Sequence, residues 1–167
     1  MLKFIRSIDQ CIEKFESDYY IPFSVRFSEG LKARVSMWMI VNNDSVLEVA
    51  VDNQTGVLEY ITLANIAKKD ILSTNDVFSI TGVIVDGVPI CDLKFFGGRI
   101  LVRSELNIRL IIGGDFFKIL VSNDAAEKCY RTGRIYIGVN EQNELCEIIM
   151  SKMVRQEMDV LKNCLGV

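Results

Sequence analysis

The chain has 167 residues, of which 50% are hydrophobic and 25% are charged, and it contains only 2 prolines. This length and composition predict a single globular domain over residues 1–167 with a conventional apolar core, and they exclude a disordered or low-complexity protein. The formal net charge of −3 and the pI near 5.1 disfavour a nucleic-acid binder, which usually presents a basic face, and favour a basic protein partner.

Histidine is absent from the sequence. Catalysis by a Ser-His-Asp or Cys-His arrangement and any histidine-ligated metal site are therefore excluded. The 5 cysteines are an odd number without CxxC spacing, so we expect small core residues in a reducing compartment. No run approaches the roughly 20 apolar residues of a membrane span. We expect a cytoplasmic protein without a metal or cofactor.

The first forty residues predict a helix followed by two extended segments. Apolar residues recur at three- and four-residue steps over residues 2–15, which is typical of an amphipathic helix lying on a sheet. Pro22 favours an extended segment or an edge strand over residues 19–27. Residues 33–41 are rich in large apolar side chains on both faces, and residues 42–44 turn the chain into the next strand.

Residues 45–63, SVLEVAVDNQTGVLEYITL, form the clearest hairpin pattern. Asp52 starts the turn and Gly56 can take its left-handed residue. The pairing that keeps the apolar side chains together has a four-residue loop, residues 53–56, with Asp52 opposite Val57. The predicted core face consists of Leu47, Val49, Val51, Leu58 and Tyr60. The predicted mixed face consists of Val46, Glu48, Ala50, Glu59 and Ile61.

A second copy of this hairpin is found at an offset of 88 residues without a gap, which aligns Val51 with Val139 and Glu59 with Glu147. The alignment predicts a hairpin over residues 134–150 with Glu147 and Arg134 on its mixed face. Shared composition is an alternative explanation, because unrelated hairpins use similar residues for the same physical reasons.

The remaining segments complete the predicted architecture. Further strands are expected at residues 77–85, 88–96, 99–103, 106–112 and 116–121, and a short helix or loop at residues 64–72. Residues 123–131 begin like a helix, and a closing helix is expected from Lys152 onward. The predicted fold class is α+β, a mainly antiparallel sheet, curled or two-layered, with an N-terminal and a C-terminal helix.

Two patterns in the sequence suggest catalysis, and each has a simpler interpretation. Carboxylates on the mixed faces can divide acid and base roles, but alternating polar residues on a half-solvated sheet are the ordinary expectation. The stretch RLIIGGDFFKILV, residues 109–121, resembles the strand-turn-strand signature of diguanylate cyclases. Phe116 stands where that family carries its catalytic glutamate, so hairpin chemistry explains Gly113 and Gly114 sufficiently.

The segment VLEVAVDNQTGVLEYITL, residues 46–63, resembles the strand-DxxTG-strand segment of small bacterial immunity proteins, including those of contact-dependent growth-inhibition and related polymorphic toxin systems. The resemblance implies a non-catalytic protein that binds the toxin domain of its own system in the cytoplasm and blocks its active site or its access to substrate. It implies a protein toxin, often a basic nuclease, as the partner, and neither nucleic acid nor a membrane.

The contact surface is a physical prediction, because the family shares no binding motif. We expect the carboxylates of the mixed faces and of the second loop to form it, because complementary charge accelerates encounter with a basic toxin. These residues are Glu48, Glu59, Glu141, Glu144 and Glu147. Two rival classes remain open: a structural or assembly subunit that pairs through an exposed strand or the mixed face, and a small enzyme that uses the sheet carboxylates.

Overall fold

The computed structural model of the protein describes residues 1–9, 14–16, 20–28 and 34–167. These residues form fifteen β-strands, two single-turn 3-10 helices (Lys68–Asp70 and Leu93–Phe95) and one α-helix, α1 (Arg155–Leu165). The strands in chain order are β1 (Phe4–Ile8), β2 (Lys14–Glu16), β3 (Phe23–Arg26), β4 (Val35–Asn42), β5 (Ser45–Asp52), β6 (Leu58–Asn65), β7 (Ile71–Ser73), β8 (Val83–Asp86), β9 (Val88–Cys91), β10 (Leu101–Glu105), β11 (Arg109–Ile112), β12 (Phe117–Leu120), β13 (Lys128–Thr132), β14 (Ile135–Val139) and β15 (Leu145–Met150).

The strands form two large sheets and a two-stranded ribbon of β1 and β9. The six-stranded sheet has the order β10-β4-β5-β6-β3-β2, and the seven-stranded sheet has the order β7-β11-β12-β15-β14-β13-β8. Both sheets are mixed, because β10 runs parallel to β4, β7 to β11 and β8 to β13. The predicted α+β class, an antiparallel sheet with a helix at each end, is therefore wrong: among the described residues the α-helix is C-terminal only.

The N-terminal helix predicted over residues 2–15 is wrong. Phe4–Ile8 is strand β1, which pairs with β9, and Lys14–Glu16 is strand β2, while residues 10–13 lie outside the described part of the chain. The helical spacing also fits a two-residue alternation: Leu2 and Phe4 are fully buried and Ile5 is 62% exposed. Pairing with β9 decides between the two patterns.

The two later helix predictions have opposite outcomes. The helix predicted at residues 123–131 is wrong, because residues 123–127 form a loop that leads into β13. The Glu127 N–H donates to the Val139 carbonyl (2.9 Å), which extends strand pairing into this segment. The closing helix is confirmed as α1, which buries Met158 and Leu161 and ends at Gly166 in the left-handed conformation.

The hairpin predicted at residues 45–63 is present as β5 and β6. The Asp52 N–H donates to the Val57 carbonyl (2.8 Å), so the predicted four-residue loop is confirmed. One Asp52 carboxylate oxygen accepts hydrogen bonds from the backbone N–H groups of Gln54 (3.0 Å) and Thr55 (2.7 Å). These bonds, together with the left-handed Gly56 (φ +74°), account for the turn without a ligand.

A β-bulge at Glu59 makes the predicted faces of β6 wrong from Tyr60 onward, whereas Leu58 is buried in the core as predicted. Strand pairing with β5 skips Glu59, which is an extra residue between Leu58 and Tyr60. Because successive side chains alternate between the faces of a sheet, the extra residue reverses the rest of the strand. Ile61 is fully buried in the core and Tyr60 lies half-buried on the outer face, the opposite of the prediction.

The two large sheets contain the same five-stranded unit, β2 to β6 and β11 to β15. In each unit the last three strands form a meander, the second strand pairs with the fifth, and the first pairs with the second. A further strand runs parallel to the third strand of each unit, β10 in one and β8 in the other. This shared connectivity favours an internal repeat over similar composition.

The structural equivalence of the units corrects the ungapped alignment. Both hairpins have a bulge directly after the turn, at Glu59 and at Cys146, but the second turn is one residue shorter. The offset is therefore 88 residues from β5 to β14 and 87 residues from β6 to β15. Glu147 is the counterpart of Tyr60 and not of Glu59.

The segment that connects the two units serves both sheets. Its strand β8 comes first along the chain but joins the second unit, and its strand β10 comes later and joins the first unit. Strand β7 extends the seven-stranded sheet, and β9 completes the ribbon. The units are therefore interlocked through residues 66–108.

The ribbon is hydrogen-bonded to the turns of both repeated hairpins. The Cys91 N–H donates to the Gly56 carbonyl (2.8 Å), and the Phe4 N–H donates to the Asn143 carbonyl (2.9 Å). Gly56 and Asn143 share the left-handed conformation, with φ of +74° and +58°. The two turns thus anchor the strands that bridge the sheets at this end.

One apolar core joins the two sheets. Equivalent inner-face residues from the two units meet in it, namely Val25, Trp38, Val49 and Ile61 from the first and Ile119, Tyr130, Ile137 and Ile148 from the second. Phe23 and its counterpart Phe117 pack edge to face, with ring centroids 4.9 Å apart. Each unit therefore covers the apolar face of the other.

We expect Gly56→Ala to destabilise the protein strongly, because an added Cβ lies 2.5 Å from the Cys91 carbonyl oxygen. Gly97→Ala is the matched control, since Gly97 also has a positive φ (+54°) but nothing within 4 Å of the added Cβ. Denaturant unfolding should show a loss of about 1 kcal/mol for the control and at least about 2 kcal/mol more for Gly56→Ala. Equal losses would mean that the ribbon imposes no constraint on this turn.

We expect Glu157 to make stability depend on pH. The Arg134 guanidinium donates two hydrogen bonds to the Glu157 carboxylate (2.8 and 3.0 Å), and these bonds lower the pKa of Glu157 while burial opposes the shift. Because the folded pKa lies below the unfolded one, this stabilisation is present above the ordinary glutamate range and is lost as the pH falls through the lowered pKa.

Thermal unfolding from neutral to acidic pH should therefore be less pH-dependent in Glu157→Gln than in the wild type. Asp159→Asn is the control, because its ion pair with Arg155 is exposed and long (3.9 Å) and contributes little. Parallel profiles for wild type and Glu157→Gln would contradict the expectation.

Candidate partner-binding surface

The structure does not bring the five predicted contact residues together. Glu48 lies on the outer face of the six-stranded sheet, and Glu147 lies on the outer face of the seven-stranded sheet. Glu141 and Glu144 are in the turn between β14 and β15. Glu59 occupies the bulge of β6 and is only 4% exposed.

Glu59 holds the bulge against the end of β3. Its carboxylate accepts a hydrogen bond from the Ser28 hydroxyl, and its backbone carbonyl accepts one from the Phe27 N–H (2.9 Å). Because this carboxylate is buried and one of its oxygens is bonded to Ser28, we assign Glu59 a structural role.

Glu147 also has a structural role. Its carboxylate lies 3.0 Å from the Lys118 ammonium nitrogen, and the two side chains are 10% and 25% exposed. The side chain lies over Gly138, where an added Cβ would be 2.4 Å from the Glu147 Cγ. The Lys118 ammonium group thus compensates the charge of the largely buried Glu147 carboxylate.

The placement of these residues does not create a pair of carboxylates. Glu59 and Glu147 belong to different sheets and have different partners. Arg134, which the sequence placed beside Glu147, binds Glu157 instead. In the turn between β14 and β15, the Glu144 Oε1 atom lies 3.6 Å from the Lys3 Nζ atom, so this turn is a polar surface beside the ribbon.

Glu48 is the predicted residue whose surroundings suit a partner. It is half-buried between its cross-strand neighbours, Met39 on β4 and Thr62 on β6. Burial raises the pKa of the neighbouring Tyr60, the Glu48 charge raises it further, and Arg26, whose guanidinium lies 5.9 Å from the ring centroid, opposes the shift. Among the described residues Glu48 forms no ion pair.

An apolar patch surrounds Glu48 on this outer face. Its members are partly exposed aliphatic and thioether side chains on three adjacent strands, namely Val35, Met37, Met39, Val41, Val46 and Leu101. We call this set together with Glu48 the β4 patch. A strand with one solvated face normally alternates apolar and polar residues, whereas β4 is apolar on both faces. The apolar residues on both faces of residues 33–41 are the signal in the sequence that indicates this patch.

The equivalent face of the seven-stranded sheet is covered by the chain itself. Of the strand predicted at residues 77–85 only β8 forms, and the preceding residues carry Phe78 and Ile80 onto this face. The Phe78 ring centroid lies 5.7 Å from that of Phe116 and 5.5 Å from that of Tyr136, the counterpart of Glu48. The described residues place no comparable cluster over the β4 patch.

Each large sheet also has an edge with exposed aliphatic side chains. Ile100 and Leu101, at β10, are 72% and 43% exposed, and their counterparts Val83 and Ile84, on β8, are 69% and 44% exposed. Edge strands present unpaired backbone N–H and C=O groups to other chains. These two edges are therefore a second candidate contact surface.

The three buried thiols among the described cysteines, those of Cys91, Cys129 and Cys146, are poor nucleophiles. Burial raises the pKa of Cys91 and Cys146 to about 12 and that of Cys129 to about 11, with smaller contributions from nearby carboxylates. In the described ranges no three His, Cys, Asp or Glu side chains converge as metal ligands. No helix in this part of the chain is long and apolar enough to cross a membrane.

We expect Glu59→Lys and Glu147→Lys to lower the free energy of unfolding by roughly 2–4 kcal/mol each, because each places an unpaired cation in a largely buried site. Glu141→Lys is the control, and as a surface substitution it should change stability by about 0.5 kcal/mol or less. Denaturant unfolding measures all three. If Glu59→Lys and Glu147→Lys were as stable as the control, these carboxylates would be free for a partner.

No protein-family model matches the sequence, and the comparison with curated proteins finds no match. The β4 patch is the candidate surface that the geometry of this chain supports best.

Proposed function

We propose that this chain is a non-catalytic immunity protein that binds a cognate toxin domain in the cytoplasm and neutralises it. The observation that carries the proposal is the β4 patch, an apolar area on an outer sheet face. Apolar surface that is contiguous and exposed to water commonly marks a protein interface.

The β4 patch combines flexible apolar side chains with the charge of Glu48. Met39 lies at its centre, opposite Glu48 on one side and Arg103 on the other. Methionine side chains adjust to the shape of a partner because they are flexible and polarizable. A toxin surface that places an apolar anchor over Met37 and Met39 and a basic residue beside Glu48 fits this arrangement. The apolar contacts would set the lifetime of the complex, and the charge would set the rate of association.

The covered outer face of the seven-stranded sheet supports this assignment, because it illustrates how such a face can be buried. There, one aromatic and one aliphatic side chain of the same molecule, Phe78 and Ile80, cover the equivalent face. An extended segment of a toxin could cover the six-stranded sheet in the same way. Because Glu48 stands where the covered face has Tyr136, the β4 patch should select a segment that carries a basic residue.

The resemblance of residues 46–63 to immunity proteins and the net charge of −3 are consistent with this proposal. The hairpin turn that carries the resemblance holds the ribbon through Gly56, so its role is structural. The contact residues therefore lie on β4 and β5, beside that turn and not within it.

A second candidate function is that of an assembly subunit that pairs through an open strand. The observation that favours it is the pair of exposed edges, with Ile100 and Leu101 on one sheet and Val83 and Ile84 on the other. Such edges can accept a strand from another chain by backbone hydrogen bonding.

Co-expression with the neighbouring gene product distinguishes the two candidates. An immunity gene should directly follow a gene for a large toxin, whose C-terminal domain should co-purify with this chain and lose its toxicity. Loss of binding on substitution at the β4 patch supports the immunity proposal, whereas binding that depends on Ile100 or Val83 supports strand pairing. A neighbouring toxin domain that neither binds this chain nor is made harmless by it rules the immunity proposal out.

We expect Met39→Glu and Glu48→Lys each to weaken toxin binding at least about tenfold. Met39→Glu introduces a charge into the apolar centre, and Glu48→Lys reverses the charge that selects a basic partner. Val154→Glu is the matched control, since Val154 is 59% exposed and lies outside the β4 patch. Calorimetric titration gives the affinity, and thermal unfolding should be unchanged in all three variants. Equal affinity for the wild type and both patch variants would place the interface elsewhere.

A further inference from the structure

A polar cavity of about 600 Å³ lies at the end of the sheets away from the ribbon. It is lined by the turn between β4 and β5, the first 3-10 helix, the residues after β10, the start of β11 and the residues after β12. Both repeated units contribute to it. Its volume is within the range of small-molecule sites.

Two cationic side chains, Lys69 and Arg109, line the cavity and form no ion pair within the described part of the chain. The Arg109 Nη2 donates to the Asn123 side-chain oxygen (2.6 Å), which orients the guanidinium and leaves its other N–H groups for further bonds. A guanidinium fixed in this way suits the oxygens of a phosphate or carboxylate, which it binds through two parallel hydrogen bonds.

Side-chain amides form a second part of the lining. The Asn42 amide donates to the Asn107 side-chain oxygen (2.6 Å), and the Asn43 amide donates to the Asn42 side-chain oxygen (3.0 Å). Because the three amides orient one another, their remaining donors and acceptors have fixed positions. Amide groups that both donate and accept are matched by neighbouring hydroxyl groups of a sugar.

Asp70 adds a carboxylate to the same lining. Its Oδ2 atom is buried and accepts no hydrogen bond from the described residues. The carboxylate of this lining residue can accept a hydrogen bond from a hydroxyl group of a ligand.

We propose that this cavity binds a small phosphorylated sugar. The phosphate lies at Arg109 and Lys69, and the hydroxyl groups bond to the asparagine amides and to Asp70. The apolar part of the lining is Leu106 and Val121 without an aromatic ring, so the cavity lacks a platform for stacking a nucleotide base. The site goes beyond the proposed immunity function, because it needs no protein partner and shares no residue with the β4 patch.

Calorimetric titration of the full chain with four probes tests the ligand class: glucose 6-phosphate, ribose 5-phosphate, glucose and inorganic phosphate. We expect at least one sugar phosphate to bind at least about tenfold more tightly than glucose or phosphate alone, because only it engages both the cations and the amides. Equal affinity for inorganic phosphate would reduce the cavity to an anion site, and undetectable binding of both sugar phosphates at millimolar concentration would also overturn the proposal.

Variants then locate the site. Arg109→Gln and Lys69→Gln should each weaken binding of the sugar phosphate, with a loss of about tenfold or more for the guanidinium. Asp70→Asn should weaken the sugar phosphate but not inorganic phosphate. Lys94→Gln is the control, because Lys94 is exposed and lies outside the cavity. Lys69 is exposed, so Lys69→Gln tests the site even if Arg109→Gln unfolds, and unchanged affinity in Lys69→Gln would overturn the assignment.

Discussion

Burial of one face of each large sheet against the other is the interaction on which the rest of the structure depends. Each unit removes its inner face from water by packing on the other, and the shared core contains equivalent residues such as Trp38 and Tyr130. The bulges at Glu59 and Cys146 serve this packing. Each adds one residue to its strand, so that Ile61 on β6 and Ile148 on β15 point into the core.

The inner faces of the two units have remained alike, but the outer faces have not. On the seven-stranded sheet Tyr136 packs under Phe78, so this face is closed by the chain itself. On the six-stranded sheet the same position is Glu48, with Met37 and Met39 beside it. A repeat in which one copy is capped by Phe78 and Ile80, while the described residues place no such cap on the other, provides an interaction surface without disturbing the core.

Local signals in the sequence predicted local structure well. Asp52 and Gly56 specified the turn, and the spacing of Met158 and Leu161 specified α1, because each depends on residues close in the chain. The strand at residues 4–8 and the extra residue at Glu59 depend on pairing with distant strands, so periodicity alone could not identify them. The partners of Glu59 and Glu147 could not be identified from the sequence for the same reason, since Ser28 follows β3 and Lys118 lies on β12, both distant in the chain.

The exchange of edge strands has a consequence for synthesis of the chain. As the protein emerges from the ribosome, the first unit is complete in its five strands by Asn65, yet the open side of β4 gains its neighbour only when Glu105 has emerged. For about forty residues of translation this edge remains open to other chains, and the apolar inner face of the first unit remains bare until the second unit is complete at Met150. The order of strands along the chain therefore makes a nascent first half prone to association, and completion of the second half ends that interval.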